Sequence, residues 1–298
     1  MNCLNFEDFG DPLAIIQKNN STKSLRNSKN HVYNDPESCQ YCYKKIAKGT
    51  KARHLKICTV KKAGGSVKIL SVSSNKKAKI KKCLTSFECA PHEHLQIIPN
   101  RDKERSVWYI SGQSGSGKSY YMNKLIQEYH SMYPKNSIYL FSLLKTDPSI
   151  TLKSIKRVEL NEKFVQMDLT LDDFKDSLVI YDDVDTITQS IIKAKLMRIL
   201  DQILQCGRHK RISLINISHL ACNNKDTRLI LSEANYLTIF PRSMGSRAIR
   251  YLLSEYFGLS KQQVAKIKKL DSRFITLCRT YPMVILYDTG AYLLSNDD

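Results

Sequence analysis

Eight consecutive residues, Gly112, Gln113, Ser114, Gly115, Ser116, Gly117, Lys118 and Ser119, satisfy the pattern G-x-x-x-x-G-K-[ST]. An apolar run at 107–111 precedes them and an amphipathic stretch at 119–129 follows. That order predicts a strand, a tight loop and a helix, which is the context the pattern requires. Glycines let the backbone fold so closely that its N–H groups converge on a phosphate. The helix adds the positive end of its dipole. Lys118 is then expected to reach the β- and γ-phosphates of a nucleoside triphosphate, and Ser119 to ligand Mg²⁺.

A Mg²⁺ site needs a counter-charge on a nearby strand. Leu178, Val179, Ile180 and Tyr181 are followed by Asp182 and Asp183. Asp182 is expected to hold the metal, and Asp183 to orient or deprotonate the attacking water. Asp185 reads as the cap of a helix that begins near residue 187. The next apolar run, 212–218, ends at Ser218 and His219, where strand ends line a ligand crevice in α/β sheets. Either residue could sense the γ-phosphate or simply begin a loop.

The surrounding pattern fits. Apolar segments at 107–111, 137–141, 177–181, 212–218 and 236–240 alternate with helical periodicity at 119–129, 187–206 and 225–234. Such alternation predicts a mostly parallel α/β sheet with helices on both faces. After Pro241, helix-like stretches at 245–257 and 261–270 lead to strand-like ones at 273–279 and 283–287. Gly207-Arg208-His209-Lys210-Arg211 ends the long helix. Gly and cations suit a helix terminus, and Arg208 also suits an arginine finger on a neighbouring subunit's nucleotide. Arg228 and Arg242 are lesser candidates for that role.

Charge narrows the partners. The 298 residues carry 47 Lys+Arg against 28 Asp+Glu, a net +19, which points to a polyanion. Residues 1–100 hold 18 Lys and Arg against 7 Asp and Glu. No run approaches the roughly 20 apolar residues of a membrane span, no signal peptide is apparent, and no amphipathic anchor supports membrane binding. The nine cysteines have no disulfide-scaffold spacing and fit a reducing compartment.

Four ligand types do stand in metal order: Cys39-x2-Cys42-x11-His54-x3-Cys58. The spacing predicts a small ββα zinc finger, amid lysines suited to phosphate contact. Cys83, Cys89, His92 and His94 match no strong metal pattern and read as ordinary residues. The chain therefore divides into an expected flexible arm at 1–36, a CCHC finger at 37–62, a basic linker at 63–100, and a P-loop domain at 101–298.

Residues 106–290, through the P-loop, the LVIYDD strand and the segment from Gln205 to His219, resemble the genome-packaging ATPases of nucleocytoplasmic large DNA viruses. These form the poxvirus-type branch of the FtsK–HerA superfamily. The segments Thr227–Glu233, Ile239–Pro241, Gly258–Lys261 and Leu270–Arg273 add to the likeness. The resemblance implies a RecA-like, ring-forming ATPase that drives double-stranded DNA into a capsid. It implies ATP and Mg²⁺ as cofactors, action at assembly sites in the host cytoplasm or in the virion, and capsid or portal-vertex proteins as further partners. By position, Lys118, Ser119 and Asp182 bind nucleotide and metal, while Asp183 and His219 stand where that superfamily often has Glu and Gln. Two other classes compete: an ATP-gated DNA-binding replication or transcription factor, and a small-molecule kinase, for which no acceptor lid is evident.

Overall fold

The computed structural model describes residues 2–6, 10–18, 68–74, 80–100, 103–222 and 224–294. Fourteen strands are described: β1 (Asn2–Asn5), β2 (Asp11–Lys18), β3 (Ile69–Ser74), β4 (Ser86–Glu88), β5 (Glu93–Ile97), β6 (Val107–Ser111), β7 (Ser137–Ser142), β8 (Lys156–Glu159), β9 (Ser177–Asp182), β10 (Ser213–Ser218), β11 (Tyr236–Ile239), β12 (Ile275–Cys278), β13 (Val284–Tyr287) and β14 (Gly290–Leu293). The α-helices are α1 (Lys118–Met132), α2 (Glu162–Gln166), α3 (Ser190–Cys206), α4 (Asn224–Glu233), α5 (Ser246–Tyr251) and α6 (Lys261–Lys269).

Ten strands make one sheet in the order β4-β14-β13-β12-β11-β6-β10-β9-β7-β8. From β11 to β8 all pairs are parallel, and from β11 to β4 all are antiparallel. Strands β6, β9 and β10 are buried along their whole length, as apolar runs covered on both faces must be. Alternate side chains supply two cores. Tyr109 and Tyr181 face one that contains α3, while Trp108 and Ile180 face another that contains α1. Helix α3 buries Ile192, Leu196, Ile199, Leu200, Ile203 and Leu204 along one stripe, each side chain contributing about 1.5–3 kcal/mol.

The segment after Pro241 belongs to this body. Helices α5 and α6 bury Ile249, Val264 and Ile267 in the α3-side core, and β12–β14 widen the sheet. No helix among the described residues is long and apolar enough to cross a membrane.

The front of the chain differs from expectation. Strands β1, β2, β3 and β5 form an antiparallel sheet ordered β1-β3-β2-β5, where a flexible arm and a linker were expected. The reason is burial. Leu4, Leu13, Leu70 and Leu95 pack into the same core as Met122 and Leu125 of α1. The small sheet thus covers the α1 face of the large one. Cys39, Cys42, His54 and Cys58, the expected zinc ligands, lie outside the described residues.

Candidate functional site

The parallel strands deliver their functional side chains at one edge. Strand β10 lies between β6 and β9, so Ser218 and His219 emerge between the glycine loop and the acidic pair. The loop closes onto β10 through Gly112 N–H, which donates to the Ser218 carbonyl at 3.3 Å. Gly115 and Gly117 hold φ of +76° and +108°, and α1 starts directly after the second. A β-carbon on Gly117 would also meet the Arg273 guanidinium at 3.2–3.3 Å. Gln113 and Ser114 are exposed at the loop's tip.

Lys118 folds back under the loop. Its Nζ donates to the carbonyls of Gly112 at 2.8 Å and Gln113 at 3.1 Å. Nζ also lies 3.4 Å from His219 Nδ1, and His219 Nε2 lies 3.0 Å from Asp183 Oδ2. An ammonium can only donate, so Nδ1 accepts and Nε2 carries the hydrogen offered to Asp183. Burial lowers the Lys118 pKa, against the raising effect of Asp183, Asp182 and Asp185.

Asp182 is 5 % exposed and accepts from Ser142 Oγ at 3.2 Å. Burial, with Asp183 beside it, pushes its carboxyl up to about 6. Asp183 is also raised by burial, opposed by Lys118 and His219. Its backbone is left-handed at φ 50°, a conformation uncommon outside glycine. The Oδ1 atom of Asp183 is buried without a hydrogen-bond partner. A buried carboxylate beside a half-buried one that has an orphaned oxygen suits a hard cation with oxygen ligands. Among the described residues no group of three or more His, Cys, Asp or Glu is placed to hold a metal ion. A Mg²⁺ shared among Ser119, Asp182, nucleotide oxygens and water needs no such group.

One expectation changes. Asp185 does not cap α3, whose N-cap position is Gln189. Its Oδ2 instead accepts from Ser218 Oγ at 2.9 Å and from His219 N–H at 3.2 Å, fixing the end of β10. Arg208 is not brought to the loop. It pairs with Glu104 at the opposite end of α3, whose 17 residues span about 25 Å. Arg273, which carried no expected site role, donates from Nε to the Ser116 carbonyl at 3.1 Å and braces the loop. Arg242 follows β11 and pairs with Asp271, while Arg228 is exposed on α4.

This arrangement is a P-loop NTPase fold. No protein-family model matches the chain. Among solved structures, the genome-packaging NTPase B204 of Sulfolobus turreted icosahedral virus 2 with AMPPCP is 15% identical, covering 62% of this chain and 98% of that one at a TM-score of 0.42. The cytoplasmic domain of the type VII secretion ATPase EccC of Thermomonospora curvata is 14% identical, covering 63% and 26% at 0.43. Among curated proteins, "Uncharacterized protein V3" of Sputnik virophage is 40% identical over 192 residues, which is 64% of this chain and 78% of that protein. With that identity over most of the relative's length, the chain belongs to the same family as the V3 protein of Sputnik virophage.

Proposed function

We propose that the protein is an ATPase that translocates double-stranded DNA and packages a viral genome, working as a homo-oligomeric ring. The reading rests on one observation: Lys118, His219 and Asp183 form a continuous polar chain across the ends of β6, β10 and β9. Backbone N–H groups of residues 112–119 bind the β- and γ-phosphates, and Lys118 leaves its carbonyl partners to neutralise them. Ser119 and Asp182 are the residues that would hold Mg²⁺, which when bound supplies charge neutralisation between those phosphates. Asp183 accepts a proton from the attacking water, and His219 orients the carboxylate through Nε2–H. The excess charge of +19 suits a DNA partner.

Turnover measured with and without long duplex DNA tests this reading. DNA should stimulate hydrolysis continuously, and Lys118→Ala should abolish it. Nucleotide-controlled DNA binding without stimulated turnover would instead mark a replication or transcription factor. The finger at 37–62 is proposed to hold one Zn²⁺ and to tether DNA, with Cys42→Ser losing the metal by elemental analysis.

A further inference from the structure

Charge in the P-loop domain is concentrated in one segment. Residues 101–298 carry 29 Lys and Arg against 21 Asp and Glu, a net +8. Residues 242–273 hold eight of those cations, with Glu255 and Asp271 as their only anions, and so account for +6 of that excess.

Folding keeps these cations at the surface. Helix α5 turns Ile249 inward and leaves Arg247 and Arg250 exposed. Helix α6 buries Gln263, Val264 and Ile267 and exposes Lys261, Lys268 and Lys269. The helices meet where Lys268 Nζ donates to Ser246 Oγ at 3.0 Å, which brings the end of α6 beside Arg247. Their charge is not neutralised within the chain. Among the described residues, these five cations pair with no carboxylate. By contrast, Arg208, Lys210 and Arg211 beyond α3 pair with Glu104, Asp172 and Asp176. Lys268 and Lys269 offset the negative end of the α6 dipole. That does not account for Lys261, which stands at the first helical position, where a cation is disfavoured.

A partner on this surface has to supply anions at high density. From Lys261 to Lys268 the helix rises about 10 Å, a length along which duplex DNA presents about six phosphate charges. Helix α6 exposes no large apolar side chain and α5 only Tyr251, too little to enter a lipid surface.

We propose that the α5–α6 surface binds the phosphate backbone of duplex DNA without reading its sequence. The assignment rests on the DNA-translocase reading and gives it a contact surface. It also joins that surface to the nucleotide site. Four residues beyond the end of α6, Arg273 Nε donates to the Ser116 carbonyl of the phosphate loop at 3.1 Å.

The experiment measures duplex binding and turnover in the full chain and three variants. The first carries Arg247→Gln, Arg250→Gln, Lys261→Gln and Lys269→Gln. It should bind a random-sequence duplex about tenfold or more weakly, with a slope of log K against log salt smaller by about 3. Turnover without DNA should be unchanged, and the DNA concentration giving half-maximal stimulation should rise by a similar factor. The second variant exchanges the same four positions between Lys and Arg, and should bind as the wild type does. The third, Lys145→Gln with Lys153→Gln and Lys163→Gln, removes exposed cations elsewhere and should also bind normally. Wild-type affinity in the first variant, equal weakening in the first and third, or weakness of the exchanged variant overturns the assignment. So does tighter binding of phosphatidylserine vesicles than of DNA. In each case DNA-stimulated turnover of the wild type would leave the translocase reading standing. A wild type that neither binds duplex DNA nor is stimulated by it defeats that reading and this assignment together.

Discussion

Asp183 Oδ2 and His219 Nε2 stand 3.0 Å apart across the ends of the adjacent strands β9 and β10. The other ring nitrogen of His219 faces the Lys118 ammonium, so one imidazole links the phosphate-binding cation to the carboxylate proposed as base. Removing the ring should separate binding from chemistry. His219→Ala is expected to lower kcat by about 10²-fold, with the ATP Kd changed only a few-fold. His219→Gln, which keeps an N–H donor, should recover much of the loss. Equal kcat for Ala and Gln would reduce His219 to a spacer.

Asp182 makes a stability prediction of definite sign. Its folded-state pKa, about 6, lies above that of an unfolded aspartate, so the folded protein binds the proton more tightly. Without metal, stability should therefore rise as pH falls from above 6 towards 4, and the ionised form carries a penalty at pH 8. Asp182→Asn should relieve on the order of 2 kcal/mol at pH 8 in urea unfolding without Mg²⁺. The same substitution should abolish Mg²⁺-dependent turnover. Wild-type turnover should decline in acid with a midpoint that moves lower as Mg²⁺ is raised, because the proton competes with the cation for that carboxylate.

Gly117 separates torsional strain from crowding. At φ 108° a side chain is strained in any surroundings, and here Arg273 also stands 3.2–3.3 Å from the new carbon. Gly117→Ala is expected to weaken binding of a non-hydrolysable ATP analogue about tenfold, from roughly 1–2 kcal/mol of backbone strain. Adding Arg273→Ala removes the contact and not the torsion. The double variant should stay weak in titration calorimetry. Full recovery would show that crowding by Arg273 was the whole effect.

What the sequence conveyed follows from the range of each interaction. Strands β6, β9 and β10 are legible because burial on both faces demands unbroken apolar runs, and the P-loop because its backbone demands glycine at fixed steps. Asp182 and Asp183 follow from their place at the end of such a run. Asp185 looked like a cap because its real partner, Ser218, lies 33 residues away. The Arg273–Ser116 contact spans 157 residues and leaves no local pattern. Short strands such as β1 and β3 are set among polar and charged residues, and only the tertiary core reveals that Leu4 and Leu70 are buried. Local composition there is indistinguishable from a linker.

Arg208 offers a test of assembly. It pairs with Glu104 at the far end of α3, about 25 Å by helix length from the edge that carries the phosphate loop. An effect of Arg208→Ala on turnover must then act on a neighbouring subunit, provided the fold is unchanged. Arg208→Ala is expected to bind ATP normally while losing most DNA-stimulated turnover. Lys118→Ala is inactive for a different reason, yet its Arg208 is intact. Mixing the two inactive variants should restore part of the activity, because some interfaces then join an intact Lys118 to an intact Arg208. Arg208→Ala at full activity removes the arginine-finger role, and two variants that stay inactive when mixed remove action across an interface. The Glu104→Gln variant, which frees Arg208 from its ion pair, should keep or raise turnover, since a finger must leave Glu104 before it can reach another subunit's phosphate.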